Sequence, residues 1–182
     1  MGVRYVAVAF FWIPRENAKK REERDRVPYS QWIREGYIKA TEGNVIDYDV
    51  IREDVKALAE RFDIKEIAID RWNSTQLQTQ LAGDGLAVVQ FGQGFASMSA
   101  PTKELDRLVA SGEIGHGGNP VMRWMAANVS VEQDAAGNMK PSKKKSREKI
   151  DGIVSLVMAI GRAIIRGDNL PSAYETYGSL RE

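Results

Sequence analysis

The sequence contains no cysteine and a single histidine, His116. The lack of cysteine excludes disulfides, thiolate metal sites and a cysteine nucleophile, and one histidine excludes any site that requires two. Long hydrophobic runs are also missing, because Val3–Ile13 is too short to cross a bilayer and Ile153–Ile165 is interrupted by Gly161 and Arg162. No signal-peptide cleavage pattern follows the apolar start. We therefore expect a soluble, intracellular protein.

Glycine-rich phosphate-binding motifs are absent too. The chain has no GxxxxGK[ST] sequence, and Gly92-Gln-Gly94 lacks the spacing of a dinucleotide-binding or Walker motif. This argues against a nucleotide-binding site.

Length and composition indicate an ordinary globular chain. Its 182 residues suffice for one domain with a real core, and 43% of them are apolar and 28% charged. The net charge of +1 says little about partners, because the basic residues are unevenly distributed.

Segments with strand patterns alternate with segments of helical spacing. The predicted strands are Tyr5–Trp12, Tyr37–Ala40, Ile64–Asp70 and Leu86–Phe91. The predicted helices are Arg15–Arg26, Pro28–Arg34, Asp47–Phe62, Ser74–Leu81, Pro101–Ser111 and Ser146–Ile165. Val121–Val131 fits either state, and Asp134–Asn138 predicts the turn of a hairpin. This alternation predicts an α/β fold with a mixed central sheet flanked by helices.

A strongly basic segment precedes the last predicted helix. Of the ten residues from Lys140 to Lys149, six are cationic: Lys140, Lys143, Lys144, Lys145, Arg147 and Lys149. Such a run attracts the phosphates of a polyanion, and we expect all six side chains to face solvent, because burying an unpaired charge is costly. The alternative is a solvated helix start with a capping acid.

Two aspartates lie at the ends of predicted elements. Asp70 ends a strand, where α/β folds often place their chemistry, and Asp151 opens the last helix. Each could instead cap a helix. Together they are the minimum for oxygen-ligated Mg²⁺ or Mn²⁺ acting on a phosphodiester, although a metal pair normally requires three or four carboxylates.

His116 lies in the glycine-rich sequence GHGGNP. It could contact a phosphate or act as a base, but a loop residue that fixes a turn is the favoured interpretation.

Five segments, in order, resemble one family. They are FFWIP, VPYSQWIREGYIKATEGNVIDYDVI, IAIDRWN, GHGGNPVMRWMAANV and KSREKIDGIVSLVMAIGRAI. From about Tyr5 to Ile165, the sequence is similar to the C-terminal nuclease domain of the large terminase subunit of tailed bacteriophages. The resemblance implies a ribonuclease-H-like fold that cuts concatemeric viral DNA during packaging by a two-metal mechanism. The family's ATPase motor is a separate N-terminal domain.

The resemblance also assigns roles to individual residues. It makes Asp70 and Asp151 the catalytic, metal-binding acids, and it makes Asp134 a helper near the site. We expect the carboxylate oxygens of Asp70 and Asp151 to lie roughly 3–7 Å apart, as ligands of a shared ion do. The family's first metal-binding acid stands on a strand upstream of the one matching Tyr5–Trp12, and the sequence has no residues there. The resemblance therefore predicts an N-terminally truncated site.

The remaining expectations concern boundaries, cofactors and partners. Residues 1–168 are expected to form the nuclease domain and residues 169–182 a flexible polar tail. The implied cofactor is Mg²⁺ or Mn²⁺. The implied partners are double-stranded DNA, the terminase small subunit and the portal protein, in the cytoplasm of the bacterial host. The expected DNA contacts are Lys140, Lys143, Lys144, Lys145, Arg147 and His116. The alternative is a catalytically impaired prophage remnant that binds DNA or a packaging partner through its basic edge.

Overall fold

The computed structural model describes residues 4–70 and 75–167. The expected tail, residues 169–182, lies outside these ranges. The chain divides into two compact units: a middle unit, Phe10–Gly92, and a C-terminal unit, which combines Met1–Ala9 with Gln93–Glu182. The expected domain bounds remain a prediction.

Short strands and longer helices alternate along the chain. The strands are β1 (Tyr5–Val6), β2 (Trp12–Pro14), β3 (Lys39–Thr41), β4 (Ile67–Asp70), β5 (Val88–Phe91), β6 (Ile114–Gly115), β7 (Val131–Gln133) and β8 (Met139–Pro141). The helices are α1 (Arg15–Asp25), α2 (Tyr29–Arg34), α3 (Tyr48–Arg61), α4 (Thr75–Gly83), α5 (Phe95–Ala110), α6 (Pro120–Asn128) and α7 (Asp151–Arg166). The α/β prediction is confirmed. Each helix within the described ranges is too short or too polar to cross a membrane.

The middle unit contains two parallel strand pairs. Strand β2 pairs with β3, and β4 pairs with β5 so that Asp70 is in register with Phe91. Asp47 caps α3 by accepting hydrogen bonds from the backbone N–H groups of Asp49 and Val50. The buried apolar side chains of this unit are Ile13, Ala18, Val27, Tyr29, Trp32, Ile38, Leu81 and Phe91.

The C-terminal unit is built around α5 and α7. Helix α7 packs against α5 and α6, and α5 also contacts β8 of the antiparallel β7–β8 hairpin. Strands β1 and β6 pair in parallel. Along α7, Ile153, Val154, Val157 and Met158 are buried at three- and four-residue spacing, which gives the helix one apolar face. In the described ranges, the parallel and antiparallel pairs belong to four separate two-stranded sheets.

The prediction of one buried strand over Tyr5–Trp12 is wrong. Its first residues form β1 in the C-terminal unit and its last residue begins β2 in the middle unit. Between them, Val8 is 60% and Phe10 47% exposed. An apolar run shows high strand propensity, but it does not reveal whether both faces of the strand are covered.

Two predicted helix starts also differ from the structure. Helix α5 begins at Phe95 rather than Pro101, and the proline lies buried inside it. The buried residues Met98, Thr102 and Leu108 hold the helix together although proline removes one backbone hydrogen bond. Helix α7 begins at Asp151 rather than Ser146, because Ser146 is hydrogen-bonded to the preceding loop and hairpin. The ambiguous segment forms α6 followed by β7.

Candidate functional site

Asp151 is the first residue of α7. The N-cap is Ile150, and no side chain caps this helix, so the interpretation of Asp151 as a capping acid is wrong. The Asp151 side chain is 57% exposed, and its Oδ1 lies 2.7 Å from Lys143 Nζ. The helix dipole favours a carboxylate in this first turn. The structure therefore presents a solvent-facing carboxylate that is paired with Lys143.

The residues around Asp151 anchor the start of α7 in the core. Ile150 is 1% exposed, and its carbonyl accepts hydrogen bonds of 3.0 Å from the N–H groups of Ile153 and Val154. On the other side of Asp151, the Gly152 N–H lies 3.1 Å from Met125 Sδ in α6. The backbone at Asp151 is therefore fixed even though its side chain is in water.

The basic loop, Lys143–Lys149, is tied to the β7–β8 hairpin by two serines. The buried Ser142 donates its N–H to the Ser130 carbonyl at 2.8 Å. Ser146 Oγ donates to the Ser142 carbonyl at 2.7 Å and accepts from the Ser130 N–H at 2.9 Å. This closed set of hydrogen bonds positions the loop immediately before Asp151. No sequence signal identified the two serines, because their partner Ser130 is distant along the chain.

Cations of the basic loop face solvent, as expected. All five cationic residues of the loop are exposed: Lys143, Lys144, Lys145, Arg147 and Lys149. Within the described ranges, only Lys143 of this set forms an ion pair. The loop is therefore the exposed positive surface that the sequence predicted.

The expectation of a solvent-facing side chain is wrong for Lys140. It is 23% exposed, and its Nζ lies 3.2 Å from Glu132 Oε1 and 5.0 Å from the centre of the Phe95 ring. The register of the hairpin places Glu132 directly opposite Lys140, so the two form a cross-strand charge pair. The turn at Asp134–Asn138 implies this pairing, which the sequence interpretation missed. The proposed DNA contact of Lys140 remains a prediction.

Asp134 stabilises the hairpin turn. Its Oδ1 accepts hydrogen bonds from the N–H groups of Ala136 (2.9 Å) and Asn138 (2.8 Å), and its Oδ2 accepts from Asn138 Nδ2 (2.9 Å). These bonds, with the Asn138 side chain first, hold the pKa of the Asp134 carboxyl below its usual value. The structure thus gives Asp134 a turn role, and its role as a metal helper stays a prediction.

Asp70 is the last residue of β4 and is half-buried. It lies at the carboxyl end of a parallel strand pair, the position that the sequence interpretation expected. Residues 71–74, which lead into α4, lie outside the described ranges, so its capping alternative stays open. Asp70 belongs to the middle unit and Asp151 to the C-terminal unit. Their predicted separation remains a prediction.

His116 occupies an exposed turn between β6 and α6. Its carbonyl accepts a 3.4 Å hydrogen bond from the Asn119 N–H, and Asn119 caps α6. Gly117 and Gly118 both have positive φ angles, which glycine adopts readily. This is the geometry of a loop residue that closes a turn, and phosphate contact by His116 stays a prediction.

The donor chemistry of the two candidate acids suits a hard divalent cation. In the described part of the chain, no group of three or more His, Asp or Glu side chains could hold a metal ion. Mg²⁺ is nevertheless commonly held by one or two carboxylates, with water and substrate phosphates completing the octahedron. Asp70 and Asp151 each offer carboxylate oxygens of this kind, and their joint binding of one ion stays a prediction.

A charged cleft in the C-terminal unit has a structural explanation. It has a volume of about 720 Å³ and includes Glu104, Arg107 and Glu113 in its lining. Arg107 donates to both carboxylates, with its shortest contacts at 2.8 Å. These hydrogen bonds lower the pKa of both glutamates and raise the pKa of Arg107. The three charges satisfy one another, and we assign them to stability.

Comparison with known proteins identifies a matching family and two relatives of this chain. A profile of the family described as terminase large subunit, endonuclease domain, matches residues 2–166. The large terminase subunit of Enterobacteria phage HK97 is 38% identical over 156 residues, which is 85% of this chain and 31% of that protein. Protein YmfN of Escherichia coli K12 is 35% identical over 183 residues, which is 96% of this chain and 40% of that protein. The chain thus spans well under half the length of both relatives.

Solved structures show the same likeness. The crystal structure of the HK97 large terminase has a TM-score of 0.78 and 37% identity, covering 83% of this chain and 32% of that one. The large terminase nuclease of thermophilic phage G20c, solved with bound magnesium, has a TM-score of 0.51 and 17% identity, covering 65% of this chain and 64% of that one. The same nuclease has also been solved with cobalt.

Proposed function

Because the chain belongs to the family of terminase large-subunit endonuclease domains, we propose that it is a metal-dependent nuclease acting on concatemeric double-stranded DNA during phage packaging. Its α/β fold is ribonuclease-H-like. The observation that carries the proposal is the exposed Asp151 carboxylate beside the basic loop. In this proposal the Asp151 carboxylate serves as a metal ligand beside a surface that attracts phosphates.

In this proposal, Asp70 and Asp151 hold Mg²⁺ or Mn²⁺, and the basic loop holds the DNA backbone. A bound divalent ion would lower the pKa of an attacking water and stabilise the leaving oxygen. The chain's own contribution is to fix the carboxylates: Asp151 on the anchored start of α7 and Asp70 at the end of β4. The G20c nuclease solved with magnesium supports a divalent ion.

The wider assignments belong to the same proposal. Residues 1–168 act as the nuclease domain, with the small subunit and the portal as packaging partners in the cytoplasm of the bacterial host. The coverage of the longer HK97 subunit supports a role within a larger packaging enzyme.

A second candidate is a remnant with impaired catalysis that binds DNA or a packaging partner through the basic loop. The observation that favours it is that, among the described residues, no group of three or more His, Asp or Glu side chains could hold a metal ion. This candidate shares the DNA-binding surface and differs in lacking turnover.

Plasmid nicking with Mg²⁺ or Mn²⁺ separates the two candidates. We expect Asp70→Asn and Asp151→Asn each to reduce cleavage by about 100-fold or more, because metal stabilisation of the transition state is worth several kcal/mol. The control is Asp106→Asn, which changes an exposed aspartate on α5 and should leave cleavage unchanged. Cleavage in EDTA, or equal cleavage by all three variants, would refute the metal site. DNA binding without any metal-dependent cleavage would support the remnant.

A further inference from the structure

The ion pair between Lys143 and Asp151 joins the two parts of the candidate site. Lys143 Nζ lies 2.7 Å from Asp151 Oδ1, and the two side chains are 59% and 57% exposed. The ammonium therefore occupies one oxygen of the carboxylate that the proposed function requires as a metal ligand. An ammonium and a divalent cation cannot both lie at bonding distance along the same lone-pair direction of this oxygen.

The energetics favour exchange over permanent pairing. An exposed lysine–carboxylate pair is weak, because water screens it and the long lysine side chain must be ordered. A divalent cation carries twice the charge and coordinates oxygen directly. Lys143 also has room to move, because its side chain extends into solvent while its backbone follows the buried Ser142.

We propose that Lys143 is a positioning residue that neutralises Asp151 in the metal-free chain and transfers to a DNA phosphate when a divalent cation replaces it. The inference rests on the proposed function, because it requires Asp151 to be a metal ligand. Under this proposal, Lys143 contacts a DNA phosphate only after a divalent cation has bound to Asp151. The site would thereby bind DNA more tightly when it is loaded than when it is empty of metal.

Lys143 differs from its neighbours in the basic loop because its ammonium is paired with a carboxylate. Lys144 is the next residue, is also exposed and forms no ion pair within the described ranges. Substituting either lysine removes one charge from the same loop. Lys144→Gln is therefore a matched control for the general electrostatic effect of Lys143→Gln.

The first test measures Mn²⁺ affinity without DNA, using the electron paramagnetic resonance signal of unbound Mn²⁺ at about 0.15 M salt. We expect Lys143→Gln to bind Mn²⁺ about two- to fivefold more tightly, the factor that corresponds to an exposed ion pair. Lys144→Gln should match the unsubstituted chain. Asp151→Asn should lose the site.

The second test measures affinity for a DNA duplex by fluorescence anisotropy, in EDTA and in Ca²⁺. In EDTA, Lys143→Gln should change the Kd little, because the lysine is engaged with Asp151. In Ca²⁺, which also binds oxygen ligands, Lys143→Gln should weaken binding about two- to fivefold. Lys144→Gln should weaken binding by the same factor in both conditions.

The outcomes separate the two proposals. If Asp151→Asn retains full Mn²⁺ affinity, the metal site fails and the exchange fails with it. If Asp151→Asn loses Mn²⁺ but Lys143→Gln and Lys144→Gln behave alike in both tests, the metal site stands and only the exchange is refuted.

Discussion

At the scale of single residues, Asp134 shows how local hydrogen bonds set a side chain's role. Its two oxygens accept three hydrogen bonds from Ala136 and Asn138 within one turn. An aspartate in a DAAGN turn commonly makes such bonds. The sequence pattern predicted the turn. The family resemblance, which puts this hairpin near the active site, instead implied that Asp134 helps to bind metal.

We therefore predict that Asp134→Ala destabilises the hairpin without changing metal affinity. The substitution removes acceptors for two backbone N–H groups, so the melting temperature should fall by a few degrees. Asp134→Asn keeps one acceptor oxygen, so its melting temperature should lie between those of Asp134→Ala and the unsubstituted chain. The readouts are thermal unfolding by circular dichroism and Mn²⁺ titration. A loss of Mn²⁺ affinity with unchanged melting would restore the helper role.

At the scale of elements, the basic loop owes its exposure to the hairpin that precedes it. The hairpin withdraws Lys140 from solvent through Glu132 and Phe95, and the serine contacts leave the following cations outside. Charge counting along the chain treats all six cations as equivalent. Cross-strand register separates them, because it places an acid opposite one lysine and none opposite the others within the described ranges.

The salt dependence of DNA binding should show this difference. With about three to five phosphate contacts, affinity should fall by roughly a factor of 10 to 10³ between 50 and 200 mM salt. Replacing Lys144, Lys145 and Arg147 together with alanine should flatten the logarithmic salt slope by about two to three, because each contact contributes about 0.9. Melting should stay nearly unchanged, since the three residues are exposed.

Lys140→Ala serves as the control for this measurement. If the ion pair with Glu132 persists in the complex, this variant should leave the slope almost unchanged and lower the melting temperature, whereas a slope flattened by about 0.9 would support the DNA contact of Lys140. A slope that is unaffected by the triple substitution would mean that the loop is merely a solvated lead-in to α7.

At the scale of the whole molecule, the chain contains two compact units. Each unit contains a cluster of paired charges. In the middle unit, Arg52 donates to both oxygens of Asp84, and in the C-terminal unit Arg107 joins Glu104 and Glu113. These clusters make stability depend on pH.

Acid should weaken the C-terminal unit in a way that depends on Arg107. Its hydrogen bonds hold the pKa of Glu113 below the usual value, so their contribution is fully present above the unfolded-state pKa of about 4 and is lost as pH falls through the lower folded-state pKa. Arg107→Met should therefore destabilise the protein at pH 7 and matter much less near pH 2. Urea unfolding at both pH values measures the difference, and an equal effect at both would contradict this origin.

The sequence by itself determined the α/β class, the family resemblance, the placement of Asp70 and Asp151 at element ends, and the exposed basic loop. These features follow from local periodicity, motif order and the cost of burying charge, all of which are properties of short segments. The tertiary structure alone decided that Tyr5–Trp12 contributes to two different strands. It also decided that Lys140 forms an ion pair with Glu132 and that Lys143 forms one with Asp151. Those outcomes depend on contacts between residues far apart in the chain, such as Ser130 with Ser146, whose geometry no local pattern contains.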